Sequence, residues 1–274
     1  MTNRALCVGI NNYPVAGADL MGCVNDARAW AELLRERFDF PRSNVRILTD
    51  RRATKRAILD ALKEDVLAGA TSGDVLVFTN SSHGSYIPDR EDDEPDGYDE
   101  TMCPYDVREA QITDDELREL LADVPRGVRM TVLSDSCHSG SVTRAWLDEI
   151  VPGVRFRDQR RVRFLNPALL RRTRVIADPR RVHPRGRFGA SERDMRHVLV
   201  SGCRDDEYSY DARIRGRYHG AMTYYALKAI RAARYRITPA ALVRELNRQL
   251  PAAGYEQHPQ LSGPTSARRR PVFT

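Results

Sequence analysis

Five short runs constrain this chain most. RALCVGI (4–10), VRILT (45–49), DVLVFTN (74–80), VRMTVLS (128–134) and HVLVSGC (197–203) read as strands, and most are apolar from end to end instead of alternating. Strands of that kind are covered on both faces. Between the first two, Leu20, Val24, Ala27, Ala31 and Leu34 recur at helical spacing, and between the second and third Ile58, Leu62 and Val66 do the same. Asp114, Asp115 and Glu116 open another helix carrying Leu117, Leu120 and Leu121, with the acidic residues at its positive end. Two more helices are expected around 220–233 and 239–250. Strand–helix alternation of this order predicts an α/β fold, a mostly parallel central sheet with helices on both faces.

The 274 residues suffice for one large core, and we expect a single domain. Residues 1–150 form its larger part and 197–274 a smaller C-terminal part. Residues 151–196 interrupt them as an arginine-rich insertion or surface linker. With 41% hydrophobic and 30% charged residues, the chain is neither disordered nor membrane-embedded, and no apolar run is long enough to cross a bilayer. The start, MTNRALCVGI, lacks a signal-peptide pattern, so a cytoplasmic protein is expected. Five irregularly spaced cysteines without a CxxC pair read as reduced thiols rather than a disulfide framework or a zinc site. The net charge of +6 hides an acidic stretch, DREDDEPDGYDE (89–100), and a basic one beginning RFRDQRRVRF (155–164). The arginines come without an array of stacking aromatics, so nucleic acid is not an expected partner.

In open parallel sheets, ligands gather at the carboxyl ends of the strands. NSSHGS (80–85) and SDSCHSG (134–140) both stand there. Cys137 can be read as nucleophile, metal ligand or core. A thiol attacks at neutral pH only when a neighbour favours the thiolate or takes the proton, and His83 serves if the fold brings it near. His138 is a rival base, but on an extended chain the adjacent side chain points away. An oxyanion hole further needs backbone N–H groups beside the attacked carbon, and Gly84 and Gly140 flank the two candidates.

His before Cys, about 50 residues apart, is the caspase-type order. SSHGS, DSCHSG, GCVNDA (22–27), DGYDE (96–100), ITDDEL (112–117) and GAMTYYALKAI (220–230) together resemble a prokaryotic metacaspase, or orthocaspase, over nearly the whole chain except its arginine-rich middle. The resemblance implies a caspase-like three-layer α/β/α sandwich and a cysteine endopeptidase. In it Cys137 attacks the peptide carbonyl, His83 transfers the proton, and the Gly84 and Cys137 amides hold the oxyanion. It implies that Asp26, Ser81 and Asp135 line the pocket for the residue before the scissile bond. Carboxylates there select Arg or Lys, because a cation offsets the cost of burying them. The protein partners are then peptides with a basic residue at that position, and the enzyme is expected to be a monomer. The arginine-rich segment offers sites for self-processing.

Calcium is expected only as an activator, not for the chemistry. The resemblance places Asp99, Asp114 and Asp115 as its ligands, although capping of the helix at 114 explains the latter two equally well. DDEPDGYDETMC (92–103) imitates an EF-hand loop in part, but Pro95 interrupts it and Cys103 replaces the bidentate Glu. Arg144 stands where the family carries a further ligand Asp. Ser82 replaces the glycine usual before the His, and a Cβ there restricts the turn. The competing reading from another class is a catalytically silent caspase-fold scaffold or binding module.

Overall fold

The computed structural model describes residues 1–88, 98–137, 160–170, 195–204 and 207–274. Its centre is a six-stranded sheet. In chain order the strands are β1 (Asn3–Gly9), β2 (Val45–Thr49), β3 (Val75–Ser81), β7 (Arg129–Asp135), β9 (His197–Ser201) and β12 (Gln260–Ser262). They lie in the order β12-β9-β7-β3-β1-β2, all pairings parallel except the antiparallel edge strand β12. The five expected strands are all present, each within one or two residues of the expected bounds.

Alternate residues of each strand serve two separate cores, as the pleat requires. Ala5, Cys7, Val75, Val77, Leu133 and Val200 face α1 (Cys23–Arg37), α4 (Ala221–Ala232) and α5 (Pro239–Ala252). Leu6, Val8, Leu76, Phe78, Val132 and Leu199 face α2 (Lys55–Asp60), its π-helical continuation Ala61–Leu67, and α3 (Asp114–Ala122). This is the three-layer sandwich. Ile58, Leu62 and Val66 are fully buried as their spacing predicts, while Leu20 precedes the helix it was expected to join. Thr113 and Glu116 close a reciprocal capping box at the start of α3.

Two small antiparallel sheets, invisible to the apolar-run reading, stand at the carboxyl rim. One joins β4 (Gly84–Pro88), β5 (Tyr98–Met102) and β6 (Ile112–Thr113). The other joins β10 (Tyr210–Ile214), β11 (Arg217–Gly220) and a two-residue strand, β8 (Arg161–Val162). Part of the arginine-rich segment therefore departs from the exposed linker that was expected. Arg163 is completely buried and Leu165 nearly so.

Candidate active site

The parallel register sets the site. Gly9 pairs with Ser81, and Ser81 with Asp135, so three strands end level with one another. His83 and Cys137 each lie two residues past that line. There the backbones touch: a Cβ on Gly84 would lie 1.6 Å from the Cys137 carbonyl oxygen. Glycine is needed for that approach rather than for an unusual φ. Ser82 is not in the left-handed region either, so its Cβ costs the turn nothing, and its hydroxyl donates to the His83 carbonyl at 2.9 Å.

The His83 ring is buried and held on one side only. Its Nε2 lies 2.7 Å from the Ala18 carbonyl oxygen. A carbonyl only accepts, so Nε2 carries the proton and Nδ1 keeps the basic lone pair. That Nδ1 is buried without a hydrogen-bond partner. Burial pushes the imidazole down to about 4, opposed by the bond to Ala18, so the ring is neutral at pH 7. No hydrogen bond joins it to the thiol. The Cys137 sulfur instead accepts the Ser209 N–H at 2.7 Å.

Next to both residues lies a pocket, and it is filled by Arg163. One guanidinium nitrogen donates to Ser81 Oγ at 2.6 Å and to the Asp135 carbonyl at 2.8 Å, with an Asp135 carboxylate oxygen at 3.4 Å. The other donates to Asp26 Oδ2 at 2.7 Å and to Asp211 Oδ1 at 3.3 Å. Asp26 lies on α1, Ser81 and Asp135 end β3 and β7, and Asp211 lies on β10. The carboxylates are themselves fixed. Asp26 accepts from Ser81 Oγ and the Gly220 amide, Asp135 from Ser209 Oγ and the Thr223 amide at the start of α4, and Asp211 from the Met21 and Gly22 amides. Burial alone would push the guanidinium toward its neutral form; Asp135, Asp26 and Asp211 outweigh it and hold the cation. Burial raises the Asp211 carboxyl, and Arg163 counters that. Three carboxylates facing one guanidinium form a site that an uncharged or acidic side chain could not balance.

The backbone of Arg163 is held as closely. Its carbonyl oxygen accepts the Gly84 N–H at 3.0 Å and the Cys137 N–H at 3.2 Å, and its own N–H donates to the Ser209 carbonyl at 2.9 Å. Two amides converging on one carbonyl oxygen, beside a thiol, form the arrangement that stabilises a developing oxyanion. Upstream, Arg161 and Val162 pair antiparallel with Asp211 and Tyr210. An extended segment has thus been added to the edge of β10 as a peptide ligand adds to a sheet.

The structure gathers Asp26, Ser81, Asp135, Gly84 and Cys137 around Arg163, with His83 adjoining through Gly84. Sequence reasoning missed Arg163, Asp211, Ser209 and the Ala18 carbonyl. The Ala18 carbonyl acts through a main-chain atom that no side-chain motif announces, and Ser209 acts through its main chain as well as through Oγ on Asp135. Asp211 sits in SYDARI (209–214), where alternation ending at the turn glycine Gly216 was the only available signal. His138, Gly140 and Arg144 lie outside the described residues.

The expected calcium ligands lie elsewhere on the rim. Asp114 is pushed up to about 6 by burial, with Asp115 and Asp99 adding to it, so the three are electrostatic neighbours. Asp115, however, pairs with Arg118 one turn along α3. Among the described residues no group of three His, Cys, Asp or Glu is assembled to hold a metal ion. Calcium takes six or more oxygens, several of them anionic, so these carboxylates would supply charge and other oxygens the rest of the shell.

A family model, the metacaspase peptidase C14 domain, matches residues 3–145. The chain belongs to the metacaspase family. It is 31% identical to metacaspase-1A of Aspergillus oryzae over 294 aligned positions, covering 95% of this chain and 67% of that one. It is 43% identical to metacaspase-4 of Arabidopsis thaliana over 148, covering 52% of this chain and 34% of the relative. The chain thus spans about a third of the plant relative and about two thirds of the fungal one. Among solved structures, a protein from Geobacter sulfurreducens superposes with a TM-score of 0.73 at 25% identity over 100% of this chain and 99% of that one. Caspase-1 of Spodoptera frugiperda superposes with a TM-score of 0.59 at 11% identity over 99% and 91%, a likeness of fold. The matching model describes a peptidase domain, and it spans the strands that lead into His83 and Cys137. Among the described residues no helix is long and apolar enough to cross a membrane.

Proposed function

We propose that this chain is a cysteine endopeptidase that cleaves after Arg or Lys through Cys137 and His83, and that it processes itself after Arg163. One observation carries the reading: Arg163 has its guanidinium among three buried carboxylates and its carbonyl oxygen on the two amides beside the thiol. That is the posture of a substrate residue preceding a scissile bond.

The chemistry follows from the atoms. The Cys137 sulfur, its proton passed to His83 Nδ1, attacks the carbonyl carbon of the basic residue. The negative charge moves to the carbonyl oxygen, where the Gly84 and Cys137 N–H groups receive it. The C–N bond breaks as Nδ1 returns its proton to the departing amine, leaving a thioester. Water, deprotonated by Nδ1, then attacks the thioester, releasing a carboxylate and regenerating the thiol. Ala18, by fixing the Nε2 proton, keeps Nδ1 available for both transfers. Calcium enters this proposal as an activator bound near Asp99, Asp114 and Asp115, outside the chemistry. A silent scaffold would not need a unidirectionally held imidazole and two converging amides, so we favour the enzyme.

The test is a panel of fluorogenic peptides ending in Arg, Lys or Asp, with calcium or chelator, offered to wild type, Cys137→Ala and Asp135→Ala. Arg and Lys peptides are expected to be cut by wild type and not by Cys137→Ala, with Asp135→Ala losing roughly a hundredfold in kcat/KM on Arg. Cleavage after Asp, or unchanged Arg cleavage in either variant, would refute the assignment.

A further inference from the structure

The register does not stop at Arg163. Gly84 donates to the Arg163 carbonyl and accepts, at its own carbonyl, the Leu165 N–H at 2.9 Å, so it brackets Phe164 as one rung of a parallel bridge. Ser85 Oγ then donates to the Leu165 carbonyl at 2.8 Å. These bonds fix the two residues that follow the scissile bond as firmly as those before it. Their side chains enter different surroundings. The Phe164 ring stacks on Tyr86, with centroids 6.0 Å apart and planes 26° from parallel, while Tyr208 lies across it at 6.4 Å. Tyr98 meets the Tyr86 ring edge-on at 5.0 Å. Leu165, in contrast, is 2% exposed and joins the apolar core on the α2 and α3 side of the sheet.

We infer that the groove formed by Gly84, Ser85, Tyr86 and Tyr208 is a specificity site for the leaving side of the substrate. It takes an aromatic residue first and a branched aliphatic residue second. The inference rests on the peptidase reading above and deepens it. The aromatic wall offers ring stacking, which a small or acidic residue cannot use. The second position removes an aliphatic side chain from water altogether, while the two main-chain bonds at Leu165 are sequence-blind and set only the register. Substrates are therefore peptides of the pattern basic–aromatic–aliphatic, of which Arg163-Phe164-Leu165 is the copy built into the chain.

Four internally quenched peptides with an identical Val-Arg portion, followed by Phe-Leu, Phe-Ala, Ala-Leu or Ala-Ala, test this on the full chain in calcium. The kcat/KM for Phe-Leu is expected to exceed that for Ala-Ala by a hundredfold or so, with each single replacement costing about tenfold. Tyr86→Ala is expected to shrink the Phe-over-Ala ratio and leave the Leu-over-Ala ratio, a pattern that general destabilisation would not produce. Equal rates for all four peptides would overturn this inference while leaving the Arg-directed peptidase intact. Absence of cleavage of every peptide would overturn both.

Discussion

At the scale of single residues, the site depends on which nitrogen of His83 is free. The Ala18 carbonyl claims Nε2, and burial holds the ring neutral down to about pH 4. An imidazole with its folded value below its unfolded one costs stability as it is forced to charge. The fold is thus fully stable above about 6.5 and weakens as pH falls toward 4, by roughly 3 kcal/mol if the group stays buried throughout. Activity follows the same group: kcat/KM on an Arg peptide should hold level from pH 7 to about 5 and fall through about 4. An acid limb centred near 6.5 instead would mean a solvated histidine and count against Ala18 as its orienting partner. Gly84 illustrates what a motif can and cannot tell. A missing Cβ was legible in SSHGS as room for close approach, but the Cys137 carbonyl, 1.6 Å from a hypothetical Cβ, is what occupies that room.

At the scale of elements, five of the six central strands were legible because they are largely apolar, and α1, α2 and α3 because their apolar residues recur at helical spacing; the short, half-exposed edge strand β12 was not. The small sheets were not. β10 and β11, Tyr210–Ile214 and Arg217–Gly220, carry Asp211, Arg213 and Arg217 among their nine residues, so they lack the apolar signature of a covered strand. Their importance is positional: β10 supplies Asp211 and the edge on which Arg161 and Val162 lie, and β11 leads into α4. At that junction Gly220 leaves no spare space, since a Cβ would lie 2.1 Å from Asp135 Oδ2 and 2.6 Å from the Arg163 guanidinium. Gly220→Ala should therefore displace the pocket's cation more than it disturbs α4, whose first residue already is alanine. We expect KM for Arg peptides to rise on the order of tenfold with kcat less affected. A variant with unchanged KM would indicate a pocket wider than the distances imply.

At the scale of the whole molecule, the arginine-rich middle was legible as a strongly basic segment, but not as part of the site. Fourteen arginines lie from Arg155 to Arg196, and no pattern in them distinguishes Arg163; only three-dimensional proximity to Asp26, Asp135 and Asp211 does. Removing that cation from the intact chain leaves three carboxylates crowded together, which in buried networks costs about 3–5 kcal/mol unless water or another cation enters. A chain that holds its own Arg in this position is occupied until the segment is cut or displaced. The measurement that addresses this most directly is N-terminal sequencing and intact-mass analysis of wild type and Cys137→Ala after incubation with calcium. A new N-terminus at Phe164, present in wild type and missing from the variant, is the predicted result. Identical processing of the two proteins, cleavage after a residue other than Arg or Lys, or an uncut wild-type chain would contradict it.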